Sequence, residues 1–322
     1  MVRMNQIETI GADLGGTKLA VGVVDGRPET VWNNEVPSTG YSQEAVIDLL
    51  AEQINLAHEA RPDAGAAGIG IPATIDYDRG YAVSTVNLDL ADLPVRDLIS
   101  ERVGLPVAID NDANVAMLAE ALFGAAKGAR NAIMMTLGTG IGGGVWLNGE
   151  IFRGSSGAGA ELGHTVVDID GPRCQGNCPG RGCIECYASG TAIGRQGREA
   201  AEAHPDSALG RLAAAGEEIG GRQVTEAARQ GDDVAVAVIN TVGHYLGNAI
   251  VSLCNVFQPE VVVLGGGAMA MGELILEPVR KELQERGLRP NRDAKVVAAE
   301  LGPAAGMIGA AAMARIEMER NG

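Results

Sequence analysis

Two stretches of this chain carry side chains whose types and spacing could do chemistry. The first is "IGADLGGTKLAVGVVDG", Ile10 to Gly26, which sets a carboxylate, Asp13, at the mouth of the glycine turn Gly15-Gly16-Thr17-Lys18. Glycines let backbone N–H groups approach a polyphosphate closely, and Thr17 and Lys18 add side-chain donors, so a carboxylate at this position needs a reason. The turn is not a dinucleotide fingerprint, which runs strand, G-x-G-x-x-G, helix. Nor is it a Walker loop, which has four residues between its first glycine and Gly-Lys. The second stretch, "GAGAELGHTVVDIDGPRCQGNCPGRGCIECYASG", gathers Cys174, Cys178, Cys183 and Cys186 behind His164. Three thiolates and one imidazole make a closed tetrahedral zinc site, the alternative being merely buried loop cysteines. Cys183 and Cys186 stand at C-x-x-C spacing, which leaves Cys186 open as a substitute ligand.

The elements that must position these groups follow from hydrophobic patterning. Ile7 to Ala12 and Leu19 to Val24 are short β-branched runs flanking the first glycine turn, which makes it a hairpin. A second run, "NAIMMTLGTGIGGGVWLNGE" from Asn131, repeats the pattern of strand, Gly/Thr turn and strand about 125 positions later. Its turn holds Gly138, Thr139, Gly140 and Gly142. A third loop, Gly265-Gly266-Gly267, follows the strand Val261 to Leu264 and offers bare backbone to a flat base or ribose. The spacing predicts a helix over Ser42 to Glu59 and strands over Ala66 to Ile71 and Leu105 to Ile109. The last strand runs through Asp110-Asn111-Asp112 into a helix that stops at Gly124. Taken alone, those polar residues are N-capping candidates. The segment from Ala188 to Phe257 is mostly helical, a strand lies near Ala294 to Val297, and a last helix spans Pro303 to Glu319. Alternating strands and helices give an α/β class. His58 and His204 read as surface residues, His244 and Cys254 as packed ones.

Composition narrows the partners. At 322 residues, with domains of about 150 residues common, two domains are expected. The chain is 46% hydrophobic, and 25 Lys plus Arg against 41 Asp plus Glu leave a net charge of −16. Such a balance opposes a phosphate-backbone partner and an anionic membrane surface. No apolar leader core precedes the first strand, and no run of about 20 apolar residues is evident. The expectation is a cytoplasmic protein, where cysteines favour metal over disulfides.

The series "DLGGTK", "GIGIPATID", "NDAN", "GTGIGGG", "GAELGH", the cysteine cluster, "LGGG" and "LGPAAGMIGAA" spans nearly the whole chain. It resembles the sugar kinases of the repressor/open-reading-frame/kinase family, within the actin-like ATPase superfamily. The resemblance implies two actin-like (ribonuclease H-like) α/β domains flanking a cleft: residues 1–124 completed by 303–322, and residues 125–302 carrying the zinc loop. It implies transfer of the ATP γ-phosphoryl group to the 6-hydroxyl of glucose. The alternatives within the family are an N-acetylhexosamine, mannose or fructose as acceptor, and polyphosphate as donor. Asp112 becomes the general base. Asn87, Asn111, Asp112, Glu161, His164 and Glu185 become sugar-binding residues. His164, Cys174, Cys178 and Cys183 become the zinc ligands, with Cys186 spare. ATP arrives with Mg²⁺, which prefers carboxylate oxygens, so Asp13 acquires its reason while Lys18 and the loop amides face phosphate.

Three departures stand out. Gln175-Gly176-Asn177 separates the first two cysteines where the family has one residue, Leu90 replaces a tryptophan, and Pro72-Ala73 replaces Pro-Gly. The family also contains repressors that carry a DNA-binding segment ahead of "DLGGTK"; the 12 residues before Asp13 are too few for one. A homodimer or homotetramer is implied. The zinc is expected to serve the sugar side alone, since the nucleotide loops lie elsewhere in sequence.

Overall fold

The computed structural model describes residues 7–85, 90–176 and 178–321. β1 (Thr9–Leu14) and β2 (Lys18–Val24) pair antiparallel across the glycine turn, where Gly15 N–H donates to Lys18 O at 2.8 Å. β3 (Thr30–Pro37) adds to β2, and α1 (Gln43–Ala60) follows, capped by Ser42. β4 (Ala67–Ile71) returns parallel to β1. The hairpin β5 (Ala73–Asp76) and β6 (Tyr81–Thr85) and the helix α2 (Val95–Val103) precede β7 (Val107–Asn111), which runs parallel to β4 and enters α3 (Asp112–Leu122) directly. The sheet order is β3-β2-β1-β4-β7.

The same order recurs. β8 (Ala132–Leu137), β9 (Ile141–Leu147) and β10 (Glu150–Ile151) are followed by five helices. These are α4 (Glu185–Ala188), α5 (Gly190–Ala203), α6 (Ala208–Ala214), α7 (Gly221–Arg229) and the long α8 (Asp233–Phe257). β11 (Val261–Gly265), α9 (Glu273–Arg286), β12 (Lys295–Ala298) and α10 (Ala305–Asn321) complete the chain. The second sheet runs β10-β9-β8-β11-β12, with β8, β11 and β12 parallel. The repeated hairpin expected from the sequence is therefore present. Asp13 and Thr136 hold the same position, fifth in their strands, each the one half-buried residue of an otherwise buried strand.

The chain forms two compact units. One takes the chain up to Gly128, residues 144–160 and the stretch from Glu300; the other takes residues 129–143 and 161–299. In the first, α10 lies on the parallel strands through small residues: a Cβ at Gly11 or Gly68 would run into the α10 backbone at Met307 or Ala310, and one at Gly309 into Val115 of α3. Thr9 Oγ1 donates to Ala311 O at 2.8 Å, fixing the register of that packing. In the second, Gly243 and Gly247 of α8 admit Pro278 and Glu282 of α9. Among the described residues α8 is the one helix with the length and mean hydropathy, 1.5, to cross a bilayer; half of that window is buried inside the protein.

Two histidines differ from expectation. His244 is exposed and pairs through Nδ1 with Glu282 at 2.9 Å, because α8 turns that face outward beside α9. His58 is half-buried, and its Nδ1 is enclosed without a protein partner.

Candidate active site

In the first unit, β7 delivers three polar residues to the start of α3, and the structure divides their roles. Asp110 is buried and accepts from Asn111 N (2.8 Å), Asn114 Nδ2 (3.0 Å) and Arg153 Nε (2.8 Å). Asn111 is the N-cap: its Oδ1 accepts from Ala113 N at 2.9 Å and Asn114 N at 3.2 Å, and its Nδ2 donates to Ala73 O at 3.2 Å. Asp112, in the first helical turn, is half-buried and accepts from its neighbour Ala113 N at 2.9 Å.

Asp13, the last residue but one of β1, lies close to Asp112. Gly70 lies between them: a Cβ there would sit 3.6 Å from Asp112 Cα and 3.8 Å from Asp13 Oδ1, while Gly306 of α10 presses directly on the Asp13 carboxylate. Burial, and then the Asp112 charge, push the Asp13 carboxyl up to about 7, with Lys18 opposing. A carboxylate so placed gains from any cation that arrives beside it. Asp13, Gly15 and Lys18 line a pocket of about 230 Å³ together with Ala20, Pro303 and Met307. Gly16 and Thr17 are exposed at the turn, and Gly15 O accepts from Ser38 Oγ at 2.8 Å. Lys18 does not stand free above the loop. Its ammonium is 2.7 Å from the Glu35 carboxylate across β2 and β3, in an exposed pair.

In the second unit, the turn Gly138-Thr139-Gly140 joins β8 to β9 and is closed by Gly138 N–H donating to Gly140 O at 2.9 Å. Gly142 follows on β9. Gly265 pairs with Thr136, so the third glycine loop starts beside the second hairpin. Gly266 has φ of 85° and lies against the Leu137 backbone, where a side chain has neither the conformation nor the room. Gly267 begins a 3₁₀ turn to Met271.

The cysteine loop gathers four of the five candidate donors that spacing left open. His164, Cys174, Cys178 and Cys183 bring their donor atoms within 4.8 Å of one another. His164 Nδ1 is 3.5 Å from Cys174 Sγ, and Cys178 Sγ is 4.0 Å from Cys183 Sγ. Tetrahedral zinc with Zn–S near 2.3 Å asks for donor separations of about 3.8 Å, so this set fits a four-coordinate metal. Cys186 is outside it, its sulfur against Arg173 O at 3.8 Å and Pro172 O at 3.9 Å. Burial pushes the Cys174 and Cys183 thiols upward, so their thiolates need a cation.

His164 turns Nδ1 to the sulfurs, which leaves Nε2 on the far side of the ring. Glu161 is close in charge to both His164 and Glu185: desolvation raises its carboxyl, His164 opposes this and Glu185 adds to it. Glu161 follows Ala160, whose φ of 65° is costly for a residue with a side chain. Glu185 is buried and accepts from Ile141 N at 2.7 Å, which ties the cysteine loop to the second glycine hairpin. Asn87 lies outside the described residues. Leu90, where the resemblance has a tryptophan, is fully buried.

The structure thus brings Asp13, the first turn, Asn111 and Asp112 together in one unit, and the second and third glycine loops, Glu161, His164, Glu185 and the cysteines together in the other. Sequence reasoning missed the pairing of Asp110 with Arg153, whose guanidinium also stacks 3.7 Å from the Tyr77 ring. It also missed Glu120, which is fully buried and accepts from Ala125, Glu300 and Leu301 N–H groups. A charged residue inside the apolar run "ANVAMLAEALFG" was the available signal.

The model of the ROK family matches residues 9–317. The chain belongs to the ROK family. It is 38% identical over 314 residues to a glucokinase of Streptomyces coelicolor, covering 95% of this chain and 97% of that one. A glucokinase of Thermotoga maritima is 38% identical over 316 residues, covering 96% and 98%. Among solved structures, a ROK family glucokinase from Streptomyces griseus in complex with glucose and AMPPNP superposes with a TM-score of 0.85 at 38% identity, covering 96% of this chain and 99% of that one. The fold is the two-domain, actin-like (ribonuclease H-like) α/β fold of these sugar kinases.

Proposed function

We propose that this chain is an ATP-dependent hexose kinase that phosphorylates the 6-hydroxyl of glucose. The observation that carries the reading is the carboxylate pair Asp13 and Asp112 at the ends of adjoining elements, beside a glycine turn, in a chain so similar to a kinase that binds glucose and AMPPNP.

Asp112 is the general base. Asp110 is held by Arg153 and the Asn111 carbonyl oxygen by the helix cap, and Asp112 is the carboxylate at the helix start whose charge acts on Asp13. It accepts the proton of the sugar hydroxyl as that oxygen bonds to the γ-phosphorus and the bond to the β-phosphate oxygen breaks. Asp13 would hold the hydrated Mg²⁺ that accompanies ATP, an ion that neutralises developing phosphate charge. The turns Gly15 to Lys18 and Gly138, Thr139, Gly140 and Gly142 orient the phosphates through amides other than those of Gly15 and Gly138, which close the hairpins, and Gly265 to Gly267 leave room for the nucleoside. Asn87, Asn111, Glu161, His164 and Glu185 hold the sugar hydroxyls, carboxylates accepting from vicinal pairs.

His164, Cys174, Cys178 and Cys183 would hold one structural Zn²⁺, a closed site that braces the loop without taking part in the reaction. His164 then offers its remaining nitrogen to the substrate. The two domains of this reading are those expected over residues 1–124 with 303–322 and over 125–302, with residues 144–160 going to the first, acting in the cytoplasm as a homodimer or homotetramer with no nucleic-acid or membrane partner.

A coupled assay across glucose, mannose, fructose and N-acetylglucosamine, each with ATP and with polyphosphate, tests the assignment. The expected result is the highest kcat/KM for glucose with ATP. Phosphorylation of none of them overturns the kinase reading, and a higher value for another pair replaces the substrate.

A further inference from the structure

The metal-binding loop and the second glycine turn are separated in sequence but joined by a set of hydrogen bonds that the proposed function does not use. Gln175 sits in the three-residue spacer between Cys174 and Cys178, and its Nε2 donates to Ser189 Oγ at 3.1 Å and to Thr139 O at 3.4 Å. Ser189 caps α5 by accepting from Ala192 N at 3.1 Å. The next two residues grip the turn: Gly190 N–H donates to Gly138 O at 2.7 Å, and Thr191 Oγ1 to Thr139 O at 2.8 Å. From the other side, Glu185 accepts from Ile141 N at 2.7 Å while its second oxygen lies 3.9 Å from Cys174 Sγ.

The consequence follows from peptide geometry. A trans peptide is planar, with its C=O and N–H pointing in opposite directions. Holding Gly138 O and Thr139 O against α5 and Gln175 therefore aims the Thr139 and Gly140 N–H groups away from the cysteine loop. Those are the amides a phosphate would meet.

We propose that Gln175 is a positioning residue for this phosphate-binding turn, acting with Thr191 to fix the Thr139 carbonyl and so to couple metal occupancy to nucleotide binding. This rests on the reading of the turn as a phosphate site. It reverses the sequence expectation that the metal serves the sugar side alone, because the loops that lie apart in sequence share these bonds.

The test uses the zinc-loaded full chain with Gln175→Met, which keeps the length and removes the amide, and Thr191→Val, which keeps the shape and removes the hydroxyl. Zinc content should stay at the wild-type level in both. Hydrogen exchange at the amides of residues 138–141 in nucleotide-free protein should accelerate. The Kd for ATP measured without sugar should rise about threefold to tenfold per variant, the size expected for one neutral hydrogen bond. The KM for glucose should not change. Unchanged exchange in the zinc-loaded variants overturns the proposal, as does unchanged ATP affinity despite faster exchange, or an equal rise in the glucose and ATP constants. A wild-type chain that binds no ATP removes the kinase reading instead, and the exchange measurement still decides whether Gln175 fixes the turn.

Discussion

At Asp110-Asn111-Asp112, three adjacent polar residues could each cap a helix, and their neighbours decide which one does. Asn111 takes the cap with two accepted bonds, and Asp110 is held inside by Arg153 and Asn114. Asp112 lies across Gly70 from Asp13, close enough for its charge to raise the Asp13 carboxyl. Asp112→Ala should therefore lower kcat by about 10²–10⁴-fold, the usual loss for a general base, with a much smaller change in sugar KM and in Tm. Asp110→Ala should behave differently, lowering Tm because it strands Arg153 against a buried position. Steady-state kinetics and thermal melts of both variants separate the two roles; near-normal turnover in folded Asp112→Ala protein would sink the assignment. The sequence showed that a base and a cap were both available here. It did not show which side chain took which task, because Arg153 arrives from 43 positions away. Lys18 teaches the same point: its place beside the turn was legible, and its partner Glu35, set by the β2–β3 register, was not.

Elements were legible where local chemistry fixes them. The two glycine hairpins and α1 appear where the pattern put them, but β1 and β7 run two residues beyond the expected ends, to Leu14 and Asn111, so Asp13, Asp110 and Asn111 lie inside strands, and Ser42 caps α1 from outside it. The cysteine loop was legible as a metal site but not as a definite ligand set, since Cys186 stands at ligand spacing and is turned away by α4. Metal analysis of purified protein should find about one zinc per chain. Cys178→Ser should release it and lower Tm, whereas Cys186→Ser should retain it; the reverse pattern would make Cys186 the ligand. His244 shows the limit of helical periodicity, which marked it as packed although α8 presents it to solvent beside α9. There, burial works against the Glu282 carboxylate, but His244 and Arg286 together hold it below the ordinary value. A depressed folded pKa stabilises above the unfolded pKa, near 4.3, and that contribution disappears as pH falls through the folded value. Glu282→Gln should thus cost at most about 1 kcal/mol at pH 7, since both partners are well exposed. Urea denaturation at pH 7 and pH 3 should show this gap closing in acid; a gap that persists at pH 3 would be packing, not charge.

At the scale of the whole molecule, the repeated strand–turn–strand pattern announced two sheets of one design, and their strand orders match position for position. What sequence could not show is that residues 144–160 belong with the first unit, because β9 continues through Gly144 without a break in pattern. That allegiance comes from packing, as Gly144 sits on Ala113 and Met117 of α3. The first unit is therefore assembled from three separate pieces of chain, and α10 is the last of them. Met307, Ile308 and Met313 of α10 are buried. Losing side chains of that size costs about 2–5 kcal/mol each, so their sum reaches the 5–15 kcal/mol that holds a typical domain folded. A chain ending at Leu301 should consequently lose the first unit. The chain has two tryptophans, Trp32 on β3 of the first sheet and Trp146 on β9 of the second, so emission from Trp32, read in a Trp146→Phe background, reports on the first unit. The truncated chain should show red-shifted tryptophan emission and no cooperative melt by that probe. Its zinc should remain bound, since all four ligands lie in the other unit. Emission and melting like those of the full chain would contradict the role given to α10, and loss of zinc from the truncated chain would show that the second unit does not hold its metal site alone.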